Sequence, residues 1–380
     1  MNTTAQQLVS DYGIEAETAE LLVEYGFDRE MFDSLRSRLA GGGVDPSRNI
    51  VTGRVEVPPS SALLRFPASG TDERERLAAI GDDAINAGQV AVVLLAGGMA
   101  TRFGGGVKAL AEVLPGIRFV DTKIRDLEVA GRNSATPVSM VLMTSFQSDP
   151  VLSEVAAGFS SEKVAIETAP QNVAMRVTAE GELFKRDDGS VSPYAPGHGD
   201  LGDAVRNSGF LGRFIASGGR YLFVTNVDNA AATLDPAMIG LHIDTGNAMT
   251  CEVVSADQGA TGGAPYLVDG HLQILEAFRV PPAVADIQIP AVNTNSLVID
   301  AERLTEPHNL TWFEVEKKVD ELPVVQFERL VGELSAFVPT TMVVVERDGV
   351  EGRFQPVKDP AELERRRPDI KEILEHRGIL

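Results

Sequence analysis

Residues 97–110 read GGMATRFGGGVKAL, five glycines with two cations, Arg102 and Lys108, directly after the apolar run VAVVLLA. Glycines let backbone N–H groups approach and wrap an anion, and the cations offset its charge. That is polyphosphate-binding chemistry at the end of a buried strand, with Gly97 and Gly98 best placed for backbone approach. The spacing fits neither G-x-G-x-x-G nor G-x-x-x-x-G-K-[ST], which disfavours a dinucleotide oxidoreductase and a P-loop nucleotidase. A tight turn carrying two solvated cations is the plainer alternative. In NVDN, Asp228 is the one carboxylate, set between Asn226 and Asn229. A hard oxygen ligand facing phosphates suits Mg²⁺, though an Asx turn at a strand end uses the same residues.

Four further sites have residue types suited to a sugar or a phosphate. PGHGD leaves His198 accessible between Gly197 and Gly199, with Asp200 placed to cap the next helix. In VNTN, alternation along a strand puts the amides of Asn293 and Asn295 on one side, where they offer donors and acceptors to hydroxyls. Gln326 and Glu328 share a face in the same way, Glu328 as a hydroxyl acceptor. Lys358, in PVKD, comes late in the sequence, and most lysines are solvated. Yet with 55 acidic against 34 basic residues, a net charge of −21, the protein must gather its cations locally to hold a polyphosphate.

Positioning these residues requires a sheet. Short apolar runs recur at 90–96, 138–143, 221–225, 250–254, 297–299 and 342–345, as for strands buried on both faces. Helical stretches between several of them imply a doubly wound, mostly parallel α/β sheet of Rossmann-like type, with ligands at the strands' carboxyl ends. One helix is expected from Asp200 to the glycines at 218–219, and a DG hairpin at 264–278. Apolar spacing over residues 10–40 predicts two amphipathic helices broken near Gly26, and Thr71 caps another that stops near Gly88. The tail reads as one or two short helices divided at Pro368. The domains so read are an N-terminal helical extension at 1–89, a catalytic region at 90–365 and a tail at 366–380.

Composition narrows the class. The acidic balance disfavours nucleic-acid and anionic-membrane partners, which need a basic face. One cysteine, Cys251, rules out an internal disulfide framework. The opening MNTTAQQLVSDYG has neither a basic nor an apolar leader segment, so a cytoplasmic protein is expected.

LLAGGMATRFGGGVKAL resembles the nucleotide loop of the UDP-sugar pyrophosphorylases, the UTP–glucose-1-phosphate and UDP-N-acetylglucosamine uridylyltransferases. The usual form is LxGGxGTRLG followed by PK; here Ala100, Phe103 and Val107 depart from it. The likeness continues in order through Gln171, PGHGD, YLFVTNVDN, a GG at 262–263, VNTNSLVID, VVQFERLVG and RFQPVKDPAEL. It implies transfer of UMP from UTP to a sugar 1-phosphate, glucose 1-phosphate before N-acetylglucosamine 1-phosphate, with Mg²⁺ on Asp228. It also implies catalytic roles for Arg102, Lys108 and Lys358, and nucleotide contacts from Leu95, Ala96, Gly97, Gly98, Gln171 and Gly197. Sugar contacts fall to His198, Asn226, Gly263, Glu276, Asn293 and Asn295. The family's lysine before GG is missing from SADQGATGG, and either Lys317 or Lys318 is left to face the site. A non-catalytic UDP-sugar-binding module is the rival, which retention of Arg102, Lys108, Asp228 and Lys358 opposes. Beyond the motifs too few residues remain for the C-terminal β-domain of larger members, which implies a monomer or small homo-oligomer.

Overall fold

The computed structural model describes residues 4–100, 103, 105–159, 161–257 and 262–380. Eight strands form the central sheet: β1 (Leu64–Arg65), β2 (Val90–Leu95), β3 (Val138–Thr144), β4 (Val164–Pro170), β5 (Tyr221–Asn226), β6 (Met249–Ser255), β7 (Ala291–Asp300) and β8 (Thr340–Val345). Their spatial order is β1-β8-β6-β7-β5-β2-β3-β4. Every pairing is parallel except those of β7, which runs antiparallel to both β5 and β6.

The unbroken apolar run of β2 follows from this. Val90, Val92 and Leu94 pack into one core and Ala91 and Val93 into the other, so neither face can be polar. The first core is covered by α4 (Asp72–Asn86), α5 (Phe119–Ala130), α6 (Asp149–Gly158), α9 (Pro236–Thr245) and the C-terminal helix Pro360–His376. The second is covered by α7 (Leu201–Asn207) and α8 (Phe210–Ala216). Helices on both faces make the sheet doubly wound.

On the first face α4 and α9 meet through glycines. A Cβ on Gly81 would lie 1.8 Å from the Pro236 carbonyl oxygen, and one on Gly240 would lie 1.9 Å from that of Leu77. A third core holds α1 (Ala5–Tyr12), α2 (Ala16–Glu24) and α3 (Arg29–Ala40) against Val173, Met175, Val177, Val325 and Phe327. The turn between α2 and α3 props the segment that follows β4. Val173 N–H donates to the Tyr25 carbonyl at 3.0 Å, and a Cβ on Gly26 would meet Asn172 Oδ1 at 2.7 Å.

The local differences from the sequence reading have physical causes. The stretch after Asp200 is two helices, because Gly209 adopts φ +73° and turns the backbone between α7 and α8. The C-terminal helix runs through Pro368 unbroken, since Leu363, Ile370, Ile373 and Leu374 are buried on either side of it. Packing there outweighs one lost backbone hydrogen bond. Helix α1 is short and mostly polar, and it is fixed by a capping box between Thr4 and Gln7. The Thr71 cap, the six apolar runs and the turn at Asp269–Gly270, both with positive φ, stand where the sequence puts them, whereas β1 and β4 lie outside those runs. No helix among the described residues is long and apolar enough to cross a membrane.

Candidate functional site

The glycine loop leaves β2 pinned to its neighbours. Ala96 N–H donates to the Met143 carbonyl at 2.9 Å, and Ser145 Oγ donates to the Gly97 carbonyl at 2.8 Å. A Cβ on Gly97 would lie 2.3 Å from Gln171 Nε2 and 3.3 Å from the Ser145 nitrogen, so a side chain there would displace the Gln171 amide. Gln171 follows β4 and is buried, yet its Oε1 has no partner among the described residues. An unspent acceptor therefore sits beside Gly97. Leu95 closes the strand, and Gly98 faces open space on its Cβ side.

Beyond Gly98 the loop returns on itself. Met99 bridges to Val107, Ala100 N–H donates to the Gly106 carbonyl at 2.8 Å, and Lys108 N–H donates to that of Gly98 at 3.2 Å. Gly105 and Gly106, at φ +101° and +82°, permit the tight return. The departures from the usual motif have a place in the structure: Ala100 and Val107 are buried, and Phe103 packs from the rim against the core that holds Val107. Arg102 lies outside the described residues.

The return delivers Lys108 to the end of β5, where its ammonium is paired with the Asp228 carboxylate. Because β2 and β5 are adjacent and in register, with Leu95 opposite Asn226, the two loops leave the sheet side by side. Each of the two charged side chains is 17% exposed, so the pair is reachable from solvent.

The amides on β7 do not alternate as expected. Glu252 pairs with Ser296 but Val253 pairs with Asn293, so Thr294 and Asn295 form a bulge. Thr294 Oγ1 donates to the Glu252 carbonyl at 2.8 Å, and Asn295 adopts φ +60°. The bulge re-aims Asn295: its Nδ2 donates to Asn226 Oδ1 at 3.0 Å, and its N–H donates to Asn293 Oδ1 at 3.0 Å. Asn226, Asn293 and Asn295 are one linked group after all. Asn293 N–H also donates to the Gly263 carbonyl at 2.7 Å, and a Cβ on Gly263 would lie 2.6 Å from Glu276 Oε1. Burial pushes the Glu276 carboxyl up, and Arg279 opposes it.

PGHGD is zipped to the segment after Glu328. Gly199 N–H donates to the Arg329 carbonyl at 2.9 Å and Arg329 N–H to that of Pro196 at 2.8 Å. Gly197, at φ +96°, tolerates no side chain there. His198 Nδ1 accepts from Val331 N–H at 3.0 Å, which leaves the ring proton on Nε2. Burial lowers the His198 pKa to about 4. The imidazole is therefore neutral at pH 7 and acts as an Nε2–H donor.

That shift has a consequence for stability. The folded pKa, about 4, lies below the ordinary 6.5, so the unfolded protein takes up the proton first as pH falls. The parent loses stability from about pH 6.5 down to about pH 4 through this group. We expect His198→Gln to lack that slope, so the melting-temperature gap between the two narrows in acid. A gap constant from pH 7 to pH 4 would contradict it.

Asp200 makes no helix cap. Its carboxylate pairs with Arg329 and accepts from Asn172 N–H at 3.0 Å, tying PGHGD to the segment beside Gln171. Arg329 also reaches Asp203 at 2.7 Å and lies over the Trp312 ring at 4.4 Å. Sequence reasoning missed Arg329, since no local pattern links it to partners more than a hundred residues away. Gln326 Nε2 donates to Glu328, and Arg176 Nε donates to Gln326 Oε1 at 3.0 Å. Lys317 lies 3.5 Å from Glu328, whereas Lys318 pairs with Glu321, so Lys317 is the lysine on the Glu328 side.

The backbone does fold back to bring Lys358 towards β5. Pro356 bridges to Asn229, Gln355 N–H donates to Asn229 Oδ1 at 2.9 Å, and Asn229 Nδ2 donates to the Arg353 carbonyl at 3.0 Å. Lys358 is exposed, and its ammonium makes no ion pair among the described residues. No cluster of three or more potential metal-ligating side chains exists among the described residues. Asp228, paired with Lys108, offers a carboxylate at the glycine loop. That suits Mg²⁺, which takes one or two carboxylates and completes its shell with water and substrate phosphates.

The family described as UTP–glucose-1-phosphate uridylyltransferase matches residues 48–369. A probable UTP–glucose-1-phosphate uridylyltransferase of Schizosaccharomyces pombe is 30% identical over 295 residues, 72% of this protein and 58% of that one. The corresponding protein of Saccharomyces cerevisiae is 31% identical over 298 residues, 73% and 59%. The sequence thus spans under three fifths of the length of these curated relatives. The uridine diphosphate N-acetylglucosamine pyrophosphorylase from Trypanosoma brucei shares the fold at TM-score 0.73 and 20% identity, over 94% of this protein and 80% of that one. A UDP-glucose pyrophosphorylase mutant from Leishmania major, in complex with UDP-glucose, does so at 0.64 and 22%, over 96% and 78%. With one family covering residues 48–369, and its ordered motifs standing at the ends of adjoining strands, the protein belongs to the UTP–glucose-1-phosphate uridylyltransferase family.

Proposed function

We propose that this protein transfers UMP from UTP to a sugar 1-phosphate, glucose 1-phosphate foremost, and releases pyrophosphate. The observation that carries the reading is the meeting of the glycine loop, Lys108 and Asp228 at the ends of β2 and β5. A sugar 1-phosphate oxygen attacks the α-phosphorus of UTP, and the bond to pyrophosphate breaks in line. With a second pKa of about 6, the phosphate nucleophile is already ionised at neutral pH, so no general base is required. The N–H groups of Gly97 and Gly98 and the ammoniums of Lys108 and Lys358 hold the phosphates, with Arg102 assigned to the same task. Catalysis is then positioning and neutralisation of charge.

Asp228 is the residue that would hold Mg²⁺, which when bound supplies positive charge to the phosphate oxygens. The unpartnered Gln171 Oε1 suits the imide N–H of uracil, and Gly197 closes the same side. The linked amides of Asn226, Asn293 and Asn295, with Glu276 and His198 Nε2–H, offer donors and acceptors to sugar hydroxyls. Pyrophosphate release on mixing UTP, Mg²⁺ and glucose 1-phosphate tests the reading. Binding of UDP-glucose without release from any sugar phosphate would instead fit a binding module.

Two expected results belong here. Glucose 1-phosphate should give a larger kcat/KM than N-acetylglucosamine 1-phosphate in a paired assay, since the family matched is the glucose-1-phosphate one. The reverse preference would overturn that choice. Lys358→Ala should lower kcat/KM by about ten- to a hundredfold, the equivalent of a charged hydrogen bond of about 1.5–3 kcal/mol. Kinetics within about twofold of the parent would make it a solvated lysine.

A further inference from the structure

The loop after Asp228 reads NAAATLD, residues 229–235, and its three alanines offer no polar group with which to anchor it. Buried charges grip its backbone instead. Lys123 on α5 is 1% exposed, and its ammonium donates to the carbonyls of Asn229, at 2.6 Å, and Ala232. Arg377 donates to the carbonyl of Ala231 at 2.6 Å. Arg353 donates to that of Thr233 at 3.0 Å while paired with Glu252, and Asp126 accepts from Leu234 N–H at 2.8 Å. Four carbonyls and one N–H of a short loop thus end on charged side chains.

A buried ammonium is costly unless fully hydrogen-bonded, and an apolar residue on α5 could fill the same space. Such a residue would leave the Ala232 carbonyl without a donor and the Asn229 carbonyl with the Ala232 N–H alone, at 3.1 Å. We propose that Lys123, with Arg377 beside it, is a positioning residue that fixes where Asp228 stands. The proposal rests on the reading of Asp228 as the phosphate-end carboxylate. The link is short: Asn229 follows Asp228 directly, and its amide group also holds the segment leading to Lys358. Losing the grip lets both charged groups shift together.

The test uses the whole protein bearing Lys123→Met, which keeps the stem and removes the ammonium. We expect a folded protein with faster backbone amide exchange confined to peptides covering residues 226–236 and the segment 353–358 that Asn229 holds. Its kcat should fall about a hundredfold, as for a displacement of about 1 Å, with KM for glucose 1-phosphate within about threefold. Parent-like exchange and kcat, or exchange raised equally across α5 and the sheet, overturns the proposal. If Lys123→Met does not fold, Arg377→Met carries the test, with a smaller fall of the same kind expected and parent-like behaviour overturning it. Asp228→Asn is measured alongside. Full activity in that variant sinks the reading of the site, whereas low activity there with a parent-like Lys123→Met sinks the positioning role alone.

Discussion

Asp228→Asn is expected to lower kcat for UDP-sugar formation by about 100- to 1,000-fold and to raise the Mg²⁺ requirement. The amide has the same shape and can still accept from the Lys108 ammonium, so the fold should hold. What disappears is the charge. Lys108 then faces the phosphates without its carboxylate partner, and the hard anionic oxygen offered to the metal is gone. The measurement is initial rate against Mg²⁺ at saturating UTP and glucose 1-phosphate, beside a thermal melt. Near-parent turnover at unchanged Mg²⁺ dependence would remove Asp228 from the chemistry.

The second large effect concerns stability. Gly240→Ala places a methyl group 1.9 Å from the Leu77 carbonyl oxygen, a backbone atom that cannot rotate aside. Helices α4 and α9 must separate, with Gly81 and Pro236 pulled from their own close contact. Overpacking of this kind costs about 3 kcal/mol or more, a fall in melting temperature of roughly 5 °C for a protein of this size. Gly212→Ala is the control: it lies in α8, and a Cβ there meets nothing within 4 Å. That change should be neutral or slightly stabilising. Equal melting temperatures for the two variants would mean that the helix crossing relaxes without cost. Activity should fall with Gly240→Ala as well, because Asp235 caps α9 and is held by Arg74 at 2.6 Å at the end of the Asp228 loop.

What could be read from the sequence was whatever is local. Strand β2 announces itself because both of its faces are buried, and the Thr71 cap and the Asp269–Gly270 turn are chemistry within four residues. Gly97, Gln171, Lys108 and Asp228 could be named from ordered motifs, and the fold brings them into two touching pairs. The rest depends on distant partners. Nothing near Asp200 says that its carboxylate will meet Arg329 rather than cap α7. The bulge at Thr294–Asn295 hides for a similar reason: strict alternation is the expectation for a strand, and only its pairing with β6 breaks it. Lys123 looks like an ordinary surface lysine until α5 turns it inward onto the loop after Asp228.

Asn229 behaves as a borrowed peptide unit. Its Oδ1 takes the Gln355 N–H and its Nδ2 gives to the Arg353 carbonyl, as a neighbouring strand's backbone would. An aspartate at that position would set oxygen against oxygen, and a leucine would leave both backbone groups unpaired in a buried place. Glutamine would overshoot by one methylene. Loss of ammonia from this one amide, the slow hydrolysis to which asparagines are prone, would therefore unfasten the Lys358 segment while sparing the rest of the fold. Asn229 has no solvent exposure, and that burial keeps water from the amide. The chemical lifetime of the fastening is thus set by how rarely the segment around Asn229 opens to water.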